Sequence, residues 1–304
     1  MENTTSVAAP QDKWADRIRL FSGSPAQAAE WKTEEAYALP DPLHVRDLPQ
    51  TEIEIAAIGE VTAVLNDLIK IMCGLGPFIF SADRVHILDA AEFQAKVGRG
   101  RFSGRSRLGH VYLERDQSTA NFMGLLAHEM FHAVSYLWLD LWEAGAVSAD
   151  GTKWPRVTIR RSGMTLIDPS YGTWLPHFHG LNEMVTELTA VIVRQLLAPK
   201  SFLLDAAGRK QLGSLVCSPP LVAFANRLVG TVAGPGNDHA PAARTLISDC
   251  LLGTDVFLGL LEAKLPGATD ILRCTGARPD ELRTAAERLG FADLAAFSDC
   301  FRHK

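Results

Sequence analysis

The stretch Leu125-Leu126-Ala127-His128-Glu129-Met130-Phe131-His132-Ala133-Val134 decides how this chain is read. Apolar residues surround a His-Glu-x-x-His core, and the wider periodicity predicts one helix from Thr119 to Leu139 with Ser118 or Thr119 as its N-cap. Residues four apart on a helix share a face, so both imidazoles reach toward a single point. Glu129 stands one step around, placed to take a proton from water without filling a coordination position. With 9 histidines in 304 residues, such a pentapeptide arises by chance in some chains. The apolar flanks weigh against chance here, because a His-Glu-His set on a core-facing helix is costly to bury unless a cation or polar partners satisfy it.

A catalytic zinc usually takes three protein ligands and keeps one position open, so a third ligand must come from elsewhere. The metzincin continuation would place a glycine three and a histidine six positions after His132. Ser135 and Trp138 stand there instead, which excludes that class. The better source is Gly180-Leu181-Asn182-Glu183-Met184-Val185-Thr186-Glu187-Leu188-Thr189, at the start of a helix predicted from Leu181 to Leu197. Glu183 and Glu187 are four apart on a face beside Leu188, Val191 and Ile192. We assign Glu183 as the third ligand and Glu187 as acceptor for the free N–H of a ligating histidine, fixing its tautomer. The competing reading is a pair of solvated glutamates on an amphipathic helix.

Leu125 to Tyr136 and Leu181 to Thr189 together resemble the gluzincin metallopeptidases, the thermolysin-like clan, bacterial members included. Their metal helix carries H-E-x-x-H and their second helix an N-E-x-x-x-(D/E) element. The resemblance implies a zinc ion held by His128, His132 and Glu183, with Glu187 bonded to His128 and Asn182 supporting His132. It implies Glu129 as general base and then proton shuttle, and the strand Gly109 to Leu113 as the edge along which an extended substrate lies. Clan members use a Tyr or His to stabilise the oxyanion, for which Tyr171, His177 and His179 are the candidates. One departure is the 51-position interval between His132 and Glu183, longer than is typical of the thermolysin group, which leaves room for an inserted hairpin. Of the other histidines, His86 and His110 read as structural, and His44, His239 and His303 as surface residues. Tyr136 reads as packing.

Around these segments the pattern predicts an α+β fold with a small mixed or antiparallel sheet. Residues 1–48 read as an arm, 49–199 as the catalytic domain and 200–304 as a mainly helical region. A packed helix is expected from Glu52 to Met72, with Ile53, Ile55 and Ile71 among its apolar positions. Strands are expected at Arg84 to Asp89 and Gly109 to Leu113, a helical turn at Ala90 to Val97 and a loop at Gly98 to Arg107. A hairpin is expected from Val157 to Arg160 and Met164 to Ile167.

The 30 basic and 35 acidic residues are interspersed, with no footprint for nucleic acid or a membrane surface. Five scattered cysteines without a C-x-x-C pair argue against a disulfide scaffold. With no signal sequence or apolar span of membrane length in the pattern, the expected location is cytoplasmic. The expected function is zinc-dependent hydrolysis of a peptide or protein substrate. The alternative is a non-catalytic interaction protein that keeps a structural zinc site, although such a site has no use for a base at Glu129.

Overall fold

Thr51 accepts a hydrogen bond from the Glu54 amide (3.2 Å) while the Glu54 carboxylate accepts one from the Thr51 amide (2.6 Å), a reciprocal cap that starts helix α1, Glu52–Cys73. Gly74, at φ 65°, closes it in the left-handed conformation that glycine adopts without strain. Its buried stripe comprises Ala57, Ile58, Val61, Leu65, Leu68 and Ile69, whereas Ile53, Ile55 and Ile71 lie at its margins and are exposed. These details come from a computed structural model, which describes residues 18–22, 43–74, 80, 82–98, 103–107, 109–115, 118–142, 156–167, 176–291 and 293–294.

The chain is mixed α+β, as expected, with two small sheets. One sheet has the order β2-β4-β3, from Val85–Leu88 (β2), Gly104–Arg107 (β3) and His110–Glu114 (β4). Strands β2 and β4 run parallel, and β3 runs antiparallel to β4. This corrects the expectation that Gly109 to Leu113 is the edge. Among the described strands it is central, and β3, in the segment expected to be a loop, is an edge. Gly-Arg-Ser-Arg has low strand propensity, and its pairing to β4 supplies what local preference does not.

The second sheet has the order β1-β5-β6-β7-β8. It comprises Ile18–Ser22 (β1), Leu137–Trp142 (β5), Arg156–Ser162 (β6), Thr165–Ile167 (β7) and Pro176–His177 (β8). The expected hairpin is present as β6 and β7, and β1 from the N-terminal arm adds parallel to β5.

Helix α2, Thr119–Val134, begins where Ser118 accepts from the Asn121 amide. It ends five residues earlier than expected. Ser135 turns extended, its hydroxyl donating to the Phe131 carbonyl at 2.7 Å, and the chain enters β5. The apolar run through Trp138 continues past the helix because those residues serve a strand, which period alone does not distinguish.

Helix α3, His179–Leu197, is buried on nearly every side. Phe178, at φ 57°, leads into it, and Gly180 packs so closely on the Thr275 and Gly276 carbonyls that no side chain fits there. Among the described residues the helices Ala206–Ser214 (α4), Pro219–Ala233 (α5), Ala240–Leu252 (α6), Val256–Lys264 (α7), Ala268–Arg273 (α8) and Pro279–Arg288 (α9) follow. Helix α3 packs against α1, α2, α4, α5 and α6. Residues on both sides of Pro199, from Ala57 to Phe291, share one hydrophobic core. Among the described residues, no single helix is long and apolar enough to cross a membrane.

Candidate metal centre

Helices α2 and α3 cross so that the two expected segments face each other. Glu183 Oε2 lies 3.6 Å from His128 Nε2, and Glu183 Oε1 lies 3.3 Å from His132 Nε2. One ligand atom from each residue falls within 4.8 Å of the other two, the only such His/Cys/Asp/Glu group among the described residues. An ion bound tetrahedrally at about 2.0–2.1 Å separates its ligand atoms by roughly 3.3 Å, close to the two contacts found. The donor set therefore fits a metal ion.

Behind the ligands, each imidazole is held through its other nitrogen. His128 Nδ1 lies 2.9 Å from Glu187 Oε2, and the other Glu187 oxygen accepts from Arg194 Nη2 (2.9 Å) and the Cys217 amide (2.8 Å). Glu187 and Arg194 are both fully buried, so each charge needs the other. Arg194 is fixed in turn by the carbonyls of Ala190 and Leu215. On the other ring, His132 Nδ1 lies 3.2 Å from Thr186 Oγ1 and 3.3 Å from Asn182 Nδ2. The Thr186 hydroxyl donates to the Asn182 carbonyl, which leaves its lone pairs to accept the Nδ1 proton when Nε2 faces the ion. The acceptor for His132 is therefore Thr186. Asn182 uses its own oxygen for the Met164 amide at 2.9 Å, and Gly163 presses against that oxygen, which fastens the β6–β7 hairpin to the site.

Glu129 is buried, lines the same pocket, and lies outside the ligand group. Gly104 of β3 packs on it: a Cβ there would stand 3.1 Å from Glu129 Cγ. Burial raises the carboxyl's pKa against the opposing charges of His128 and His132, which makes Glu129 a better proton acceptor than an exposed glutamate. Burial also works against a charged His128, yet the hydrogen bonds it donates to Glu183 and Glu187 outweigh it and hold that ring well above its ordinary pKa. Burial likewise opposes the charge of Glu183, but both histidines hold its carboxyl well below the usual carboxylate range. Without a cation, a proton on the His128 ring balances the carboxylate.

The pocket, of about 430 Å³, is walled by β3, by α2 and α3, by Ser162 and Thr165 of the hairpin, and by Cys217, Ser218, Leu221 and Ala277. His179 lines it, with Nδ1 3.9 Å from Glu183 Oε1. His177 stands in β8 opposite Leu166, outside the pocket's lining. Tyr171 lies outside the described residues.

Sequence reasoning missed Thr186, Arg194 and Cys217. Arg194 carried a signal, since a charge seven positions after Glu187 continues its stripe along an apolar helix. No family model, curated protein or solved structure matches the chain, so the likeness to gluzincins rests on the two motif segments.

Proposed function

We propose that the chain is a zinc-dependent hydrolase of the gluzincin type that cleaves peptide bonds. The observation that carries this reading is the division of labour in one pocket. Three ligand atoms converge from two helices while a buried fourth group, Glu129, stays out of their set. Two imidazoles and a carboxylate suit zinc. Zinc, when bound, polarises a carbonyl oxygen and acidifies water.

The chain's own residues do the rest. Glu129 takes the proton of the attacking water and returns it to the departing amine nitrogen, which its raised pKa favours. Glu187 and Thr186 keep the rings of His128 and His132 turned toward the ion. His179, on the pocket wall, donates to the developing oxyanion. Strand β3, an edge with Gly104 against Glu129, offers backbone pairing to an extended peptide.

The test is a random peptide library digested by zinc-loaded protein and by its Glu129→Gln variant, with the zinc of each measured. The variant should keep one zinc per chain and lose about 10²–10⁴-fold in turnover. Zinc bound at full stoichiometry with no peptide cleaved, or a variant as active as the parent, would overturn the reading in favour of a structural site.

A further inference from the structure

Beside His132, a second cavity of about 290 Å³ opens next to the metal pocket and shares Arg105, Ser106, His132 and Ser162 with its lining. Arg107 completes its polar rim, and no carboxylate lines it. Alternate residues of a strand point the same way, so Arg105 and Arg107 leave β3 on one side, both exposed, while Gly104 and Ser106 turn inward.

Arg105 spends one of its N–H groups on the Val97 carbonyl at 2.5 Å, and among the described residues no carboxylate forms an ion pair with Arg105 or Arg107. The arginine of the neighbouring wall shows the contrast, since Arg194 is bound to Glu187 and to backbone carbonyls. Glu129 and Glu183 line the metal pocket and not this recess, and Arg105 acts on Glu129 through charge alone. The Arg107 fork and the remaining N–H groups of Arg105, both lining a polar recess, match a carboxylate, which a guanidinium binds through paired N–H groups.

We propose that this recess takes a carboxylate of the substrate close to the bond being cut, making the protein selective for acidic peptides. This rests on the hydrolase reading above and adds the substrate class. Arg105 and Arg107 bind and orient the substrate, and Glu129 acts on it.

The experiment uses the zinc-loaded Glu129→Gln protein, which binds without turnover, and three fluorescent pools of otherwise random peptides. The first pool has an internal Glu and an amidated C-terminus, the second Gln and a free C-terminal carboxylate, and the third Gln and an amide. Fluorescence polarisation reads affinity, and wild-type protein is assayed on the same pools for cleavage. The first pool should bind roughly tenfold more tightly than the third. The preference should vanish when Arg105→Gln and Arg107→Gln are added, with zinc content unchanged.

Tighter binding of the second pool would identify the terminal carboxylate as the group held and supports the same recess. Equal affinity for all pools, no binding of any pool, or a preference that survives the double arginine substitution overturns the proposal. Cleavage without acidic preference sinks this inference alone. Carboxylate-dependent binding without cleavage sinks only the peptidase reading.

Discussion

Among the described residues two pairs of histidine rings lie side by side, and their nitrogens are arranged in opposite ways. In the pair His86 and His110, Nε2 of the first lies 2.9 Å from Nδ1 of the second, and Asp47 binds the remaining His86 nitrogen at 3.0 Å. The rings stack on Tyr112, 4.8 Å from His86 between centroids. Nitrogens this close to each other share a proton and leave no space for an ion between them. In the pair His128 and His132, the rings meet edge to face, 4.9 Å apart, and each has an acceptor on its Nδ1 side. Their Nε2 atoms are then free to converge on Glu183. The arrangement of acceptors around the rings decides whether a histidine pair closes on itself or opens toward a cation.

The largest effect that tests this contrast is a swap of phenotypes. His132→Ala should abolish stoichiometric zinc, read by elemental analysis. His86→Ala should keep the zinc and lose about 1–3 kcal/mol in urea unfolding, because it removes the buried hydrogen bond to His110. Loss of zinc in the His86 variant would break the distinction.

A smaller effect tests the outer acceptors. Glu187→Gln keeps the shape but weakens the hold on the His128 proton, and zinc affinity measured against a competing chelator should fall about 10–100-fold. An unchanged affinity would mean that the His128 ring is oriented without its carboxylate.

The smallest effect is a proton count. His128 in the metal-free fold titrates well above the ordinary imidazole range. Its stabilising share is therefore complete below that range and lost as pH rises through the higher folded value. Zinc competes for the same ring, so affinity should climb as pH rises through that value. Near neutral pH, calorimetry in buffers of different ionisation enthalpy should detect up to about one proton released per zinc bound. Glu183 works in the opposite sense, its share being present above the ordinary carboxylate range and lost as pH falls through its depressed value.

Much of the site was legible because it is written in helical intervals. The four-residue steps from His128 to His132 and from Glu183 to Glu187 survive any error in tertiary reasoning, since a helix fixes them locally. The facing of the two helices was inferred from chemical need and matches the geometry. What escaped depends on distant partners. Strand β3 exists because β4 pairs with it, which residues 104–107 do not announce. The end of α2 escaped because Val134 to Trp138 is apolar in either conformation. Thr186 looked like an ordinary helix residue, and its role appears only once the His132 ring is seen beside it. Ile53, Ile55 and Ile71 fit a periodic pattern yet face outward, because α1 buries only one stripe.

The hold on Glu187 by the Cys217 amide, with Arg194 pinned by the Leu215 carbonyl, has a consequence for biogenesis. The polypeptide is made from its N-terminus, so both motif helices are synthesised before those two backbone groups. The Glu187 carboxylate and the His128 ring it steadies gain their final restraint only after residue 217 has appeared, so maturation of the centre is a late event, tied to the docking of downstream chain.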